Sequence, residues 1–120
     1  MSKFVIRKVA SGVKFDLKAS NGETIATSEV YETVAACRKG AESVRKNAPK
    51  AHLEDCTVVG KDVANPKFQL FQDKGGAYRF RLKARNGLVI AVSEAYTTKA
   101  ACENGIESMR LNAPLAEIEE

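Results

Sequence analysis

Residues 80–114 read FRLKARNGLVIAVSEAYTTKAACENGIESMRLNAP, and residues 15–49 read FDLKASNGETIATSEVYETVAACRKGAESVRKNAP. The two stretches are offset by about 65 residues, with roughly three-fifths of positions identical and no gap inside the block. KFVI at 3–6 and KFQL at 67–70 match at an offset of about 64, so the second copy has one extra loop residue. Such a period marks a tandem duplication of one supersecondary unit.

A unit of this size would bury only a thin core alone, so the two copies should share a sheet or an interface. We read one domain over 1–120, made of repeat one at 1–59, a linker at 60–66 and repeat two at 67–120. Hydrophobic content of 44% and charged content of 28% exclude a disordered chain. A formal net charge of +4 permits an anionic partner without requiring one. Cys37 and Cys102 are copies of one position, Cys56 stands alone, and no CxxC occurs. Reduced thiols in a cytoplasmic protein are the expectation. No apolar run is long enough for a signal peptide or a membrane span, so no membrane association is expected.

The pattern within each copy predicts three strands and a helix. FVIRK at 4–8 turns back at Ala10-Ser11-Gly12 into a strand over 13–19; in the copy, 68–72 turns at 73–76 into 77–84. In that second strand Phe15 and Leu17 oppose Lys14, Asp16 and Lys18, while Tyr78, Phe80 and Leu82 oppose Arg79, Arg81 and Lys83. Asn-Gly then marks a hairpin. A two-residue turn would put Ile25 and Ile90 on the charged face. A three-residue loop with left-handed glycine instead pairs Leu17 with Ile25 and Leu82 with Ile90. On that choice Phe80, Leu82, Ile90 and Val92 share one apolar face. Thr33 and Thr98 are predicted helix N-caps. Gly40 and Gly105 lie on the buried stripes of the two helices and predict a close helix–sheet approach. Asn47-Ala48-Pro49 and Asn112-Ala113-Pro114 end the helices. Short strands follow at 51–54 and 116–119, the first running on into 56–59.

FRLKARNGLVIAVSEAY at 80–96 and TKAACENGIESMRLNAP at 98–114 resemble the YegP-like family, small bacterial domains of uncharacterised function that occur singly or in tandem. The first copy departs at Asp16, Val34, Arg38-Lys39 and Ala41. The resemblance implies an α+β fold: two β3-α-β units in a single antiparallel sheet, with the C-terminal strands exchanged between the repeats. With this we expect both helices on one face. The family supplies no activity to carry over.

The residues predict no catalytic site, no metal and no cofactor. His52 is the single histidine, and the second copy has Glu117 in its place. Cys37 and Cys102 lie near helix N-termini, where the dipole lowers a thiol pKa, but their place on the apolar stripe favours buried structural thiols. Ser28-Glu29 and Ser93-Glu94 lack a base partner and read as bend and cap chemistry. The functional candidate is a basic sheet face: Arg79, Arg81, Lys83 and Arg85, joined by Lys14 and Lys18 if the copies share one sheet. An uncovered cationic sheet suits a nucleic acid or another anionic ligand. Against this, long charged side chains also guard a solvated sheet against aggregation, Asp16 interrupts the stripe, and few aromatics accompany it. A protein-interaction module is the other alternative, through self-association or the Glu42–Arg45 and Glu107–Arg110 pairs. Both copies in one chain favour a monomer. A non-catalytic binding role is the working reading.

Overall fold

Alternating patterns such as GVKFDLK and YRFRLK, each with one apolar set, form strands that bury one face and wet the other. A computed structural model describes residues 1–60 and 62–120; position 61, inside the expected linker, lies outside the described residues. The elements in chain order are β1 (Lys3–Val9), β2 (Gly12–Lys18), β3 (Thr24–Thr27), α1 (Val34–Asn47), β4 (His52–Asp55), β5 (Lys67–Gln72), β6 (Tyr78–Lys83), β7 (Val89–Ser93), α2 (Lys99–Asn112) and β8 (Glu117–Glu119). A 3-10 turn, Ala113–Leu115, links α2 to β8. All eight strands join one sheet in the order β4-β5-β6-β7-β3-β2-β1-β8.

One side of that sheet is the core. Phe4, Phe15, Leu17, Phe68, Leu70, Phe80 and Leu82 are fully buried there. Phe4 meets Phe15 edge-on at 5.5 Å between centroids, and Phe68 meets Phe80 at 5.7 Å. Both helices cover this side: α1 buries Cys37, Gly40, Ala41 and Val44, and α2 buries Cys102, Gly105, Ile106 and Met109. Thr33 and Thr98 cap the helices as predicted, their hydroxyl oxygens accepting from the amides of Ala36 and Ala101.

The sheet is not wholly antiparallel as expected. The six inner strands are, but β4 runs parallel to β5 and β8 parallel to β1. The cause is where each edge strand begins. The first residue of each edge strand pairs with the first residue of its neighbour, His52 with Lys67 of β5 and Glu117 with Lys3 of β1. Two strands that start side by side run the same way. β4 also stops at Asp55 instead of continuing through 56–59, because the Asp55 carboxylate accepts from the Thr57 amide (2.9 Å) and folds the chain into a turn.

The hairpins hold one further surprise. The three-residue loop is present: Gly22 (φ +86°) donates to the Ala19 carbonyl, and Gly87 (φ +85°) to that of Ala84. A second irregularity follows. Lys18 pairs with Thr24, but Leu17 pairs with Ala26; Lys83 pairs with Val89, but Leu82 with Ala91. Ile25 and Ile90 are therefore bulge residues, not the partners of Leu17 and Leu82. The bulge puts two neighbouring side chains on the core side, so Ile25 and Ala26 are both buried, as are Ile90 and Ala91. It also turns Val92 onto the opposite face, opposite Arg81.

The helix glycines meet a tyrosine, not the sheet backbone. A Cβ on Gly40 would overlap the Tyr31 hydroxyl, and one on Gly105 would overlap that of Tyr96. Each ring in turn stacks on a core phenylalanine, Phe15 or Phe80, at 6.4 Å. Helix propensity alone would make Gly40→Ala stabilising by about 1 kcal/mol. We expect it to be destabilising by about 1–3 kcal/mol through this overlap. In a Tyr31→Ala background the same change should become neutral or stabilising. Chemical unfolding of the two singles and the double measures the coupling; additive effects would contradict it.

A candidate nucleic-acid interface on the open sheet face

The pairing registers fix which side chains stand together on the uncovered face. One row crosses the whole sheet: Glu119, Val5, Asp16, Thr27, Val92, Arg81, Gln69 and Glu54. The central pair, β3 and β7, contributes only uncharged groups to it. The cations lie to either side, with Lys14 and Lys18 on β2 and Arg79, Arg81 and Lys83 on β6. These two columns are three strand steps apart, roughly 14 Å. Because β2 and β6 run in opposite directions, Lys14 and Lys83 share one end of the sheet, and Lys18 and Arg79 share the other.

The structure thus assembles five of the six basic residues singled out from the sequence. Arg85 is the exception. It follows β6 into the glycine loop and lines a groove on the helix side, beside Lys46 and Asn47 of α1.

Neutralisation across the face is uneven. Arg7 pairs with Asp16 at 2.7 Å, Lys67 with Glu54 at 3.0 Å, and Arg79 with Asp73 at 2.9 Å. Asp73 is also the turn residue whose carboxylate accepts from the amides of Gly75 and Ala77. Among the described residues Lys14, Lys18, Arg81 and Lys83 have no carboxylate partner within ion-pair distance. Arg81 donates instead to the neutral side-chain carbonyl of Gln69 (2.8 Å), and its guanidinium lies 4.4 Å from the centre of the Phe71 ring. At the corresponding place in the first half stands the Arg7–Asp16 pair. The sequence reading missed Phe71 as part of this face. The signal was available in KFQLFQ, where Phe68 and Leu70 take the core side and Lys67, Gln69 and Phe71 the other.

The remaining candidates are committed to structure. The Ser28 hydroxyl accepts from the Phe15 amide and donates to the Glu29 carbonyl, and Ser93 does the same with Phe80 and Glu94. Cys37 and Cys102 are fully buried, and burial pushes both thiols up, Cys102 to about 11. His52 is exposed at the start of β4, beside Lys67. Among the described residues no three of His, Cys, Asp and Glu gather as metal ligands, and no helix is long and apolar enough to cross a membrane.

Two stretches, residues 10–55 and 73–120, match the profile of the domain of unknown function DUF1508. The chain belongs to this family. Among similar proteins, the UPF0339 protein YegP of Escherichia coli O6:H1 is 39% identical over 99 residues, covering 82% of this chain and 77% of that protein. A UPF0339 protein of Treponema denticola is 59% identical over 54 residues, which is 45% of this chain but 93% of the relative. The solution structure of yegP from E. coli, described as a protein of unknown function, superposes with a TM-score of 0.80 at 31% identity, covering 98% of this chain and 90% of that one. A UPF0339 protein from Shewanella oneidensis gives a TM-score of 0.79 at 31% identity, covering 98% and 89%. The YegP-like resemblance read from the motifs is thus shown, and with it one mixed sheet of eight strands and two helices. The family is uncharacterised, so the site rests on its own geometry.

The most strongly perturbed carboxyl on the open face is Glu54. The Gln69 side-chain amide, the Val63 amide and the Lys67 ammonium hold it at about 2, below its ordinary 4.5. A depressed carboxyl adds stability above its unfolded pKa, and that contribution fades as pH falls from about 4.5 toward 2. Glu54→Gln should cost about 1–3 kcal/mol at pH 7. It should also flatten the loss of stability over that acid window. Urea unfolding at a series of pH values checks both; an unchanged acid slope would contradict the assignment.

Proposed function

We propose that this DUF1508 chain is a non-catalytic binding domain that holds single-stranded nucleic acid against the open face of its sheet. The observation that carries the reading is the pair of cationic columns flanking the uncharged β3–β7 strip, with Arg81 face-on to Phe71. Lysines and an arginine with no carboxylate partner can neutralise phosphates and release counterions. A half-exposed ring beside a planar guanidinium gives unpaired bases a surface to stack on. An uncovered sheet face, with no helix to enter a groove, fits a single strand better than a duplex. Lack of catalysis is consistent with the buried thiols and with serine hydroxyls engaged by backbone.

On this reading the chain is two copies of one β3-α-β unit, residues 1–59 and 67–120, with the last strands exchanged. The pairings of β4 with β5 and of β8 with β1 support that exchange. They also fill both flanks of the sheet from within the chain, which favours a monomer. The free cysteines suit a bacterial cytoplasm.

Fluorescence anisotropy with a fluorescent (dT)15 at low salt tests the proposal. Four phosphate contacts would give a slope of log K against log salt near about −3. Arg81→Glu with Lys83→Glu should weaken binding tenfold or more. Phe71→Ala should cost about 1–3 kcal/mol of binding energy. The reading falls if neither single- nor double-stranded DNA or RNA binds, or if the charge-reversed protein binds as the wild type does.

A further inference from the structure

The end of the sheet that carries Lys14 and Lys83 adjoins a second set of cations on the helix side. The second half of α1 and the loop after β6 enclose a groove of about 470 Å³ that includes Lys39, Lys46, Asn47 and Arg85. A hollow of about 220 Å³ shares Lys46, Asn47 and Arg85 and adds Lys50 and Asn65, so the two form one trough. The carboxylate in its wall, Glu42, is taken by Arg45. Among the described residues Lys39, Lys46, Lys50 and Arg85 have no carboxylate within ion-pair distance.

The fold does not demand these four charges. The equivalent positions around α2 are Asn104, Leu111, Leu115 and Ser20. There an equally long helix with the same threonine cap forms without them. Lys46 in the last turn of α1 is favoured by the helix dipole. That account does not reach Lys39 in the middle of the helix, Lys50 beyond its end, or Arg85 on another element. Four unpaired cations gathered in one trough, and absent from its structural twin, fit a polyanion.

Position says which one. Arg85 is two residues past Lys83, and Pro66 in the hollow wall is one residue before Lys67. At strand spacing the trough thus opens within about 7 Å of the open face. We infer that the trough continues the nucleic-acid track: a strand lying on the open face passes Lys83, turns over the end of the sheet at Arg85, and runs its phosphates along Lys46 and Lys50. This rests on the open-face reading. It adds that a bound strand leaves the sheet by one end only.

Oligonucleotide length separates the two ideas. The full chain would be titrated with (dT)6 and (dT)15 at about 0.15 M salt, where fields are screened beyond roughly 8 Å. The trough variant takes its residues from the other half: Lys46→Leu, Lys50→Leu and Arg85→Ser. It should bind (dT)6 within twofold of wild type and (dT)15 at least tenfold more weakly, with the salt slope for (dT)15 reduced by about 2. The open-face variant Arg81→Glu with Lys83→Glu should lose both lengths. Wild-type binding of (dT)15 by the trough variant overturns the inference and leaves the open-face reading standing. Equal weakening of both lengths also overturns it, because the trough is then not an extension. If the wild type binds neither length, both readings fall.

Discussion

Arg45 on α1 donates to the carbonyl of Ala116 (2.6 Å), and Arg110 on α2 donates to the carbonyl of Ala51 (2.8 and 3.2 Å). Each of those carbonyls stands one residue before an edge strand. The guanidiniums also lie above core rings, Arg110 at 5.2 Å from Phe68 and Arg45 at 6.0 Å from Phe4. A charged donor on a backbone carbonyl is among the stronger hydrogen bonds a protein makes. Here it fixes the point at which the chain enters the sheet. From that point the rest follows: the edge strands run parallel to their neighbours, both flanks are filled, and one broad face is left without a cover. The edge strands are short and charged, HLED and EIE, which discourages further strand pairing.

Much of this was legible in the sequence, for a physical reason. Strand alternation, threonine caps, Asn-Gly loops and Asn-Ala-Pro endings are local, and local chemistry gave the order of strands and helices. What was not legible depends on contacts distant in sequence. The parallel sense of β4 and β8 follows from where α1 and α2 end relative to β5 and β1. The bulge at Ile25 and Ile90 follows from the gain in burying two side chains where strict pairing would bury one. Of the basic stripe, the five residues on β2 and β6 obeyed the alternation. Arg85 did not, because the loop ahead of Gly87 breaks the period of two. Phe71 was missed because its strand was read only for its core side.

The Ser-Glu-x-Tyr bend looks chemical in sequence and is mechanical in structure. Ser28 and Ser93 use their hydroxyls to satisfy the amides of Phe15 and Phe80 where strand pairing gives way. Three residues later the chain bridges back, Tyr31 to Val13 and Tyr96 to Tyr78, and each tyrosine ring fills the notch left by a helix glycine. Serine, tyrosine and glycine form one joint between sheet and helix. Losing any member would loosen the others.

The two halves repeat the backbone but not the electrical pattern. Where one half sets Arg7 against Asp16, the other sets Arg81 against Phe71; where one helix ends beside Lys46 and Lys50, the other ends beside Leu111 and Leu115. The strand order reads alike from either edge, while these charges do not. Turning the molecule half a revolution would bring like elements onto like but would not restore its charge pattern. A charged surface approaching it would therefore orient it before any contact forms, distinguishing two faces of approach that shape alone would leave equivalent.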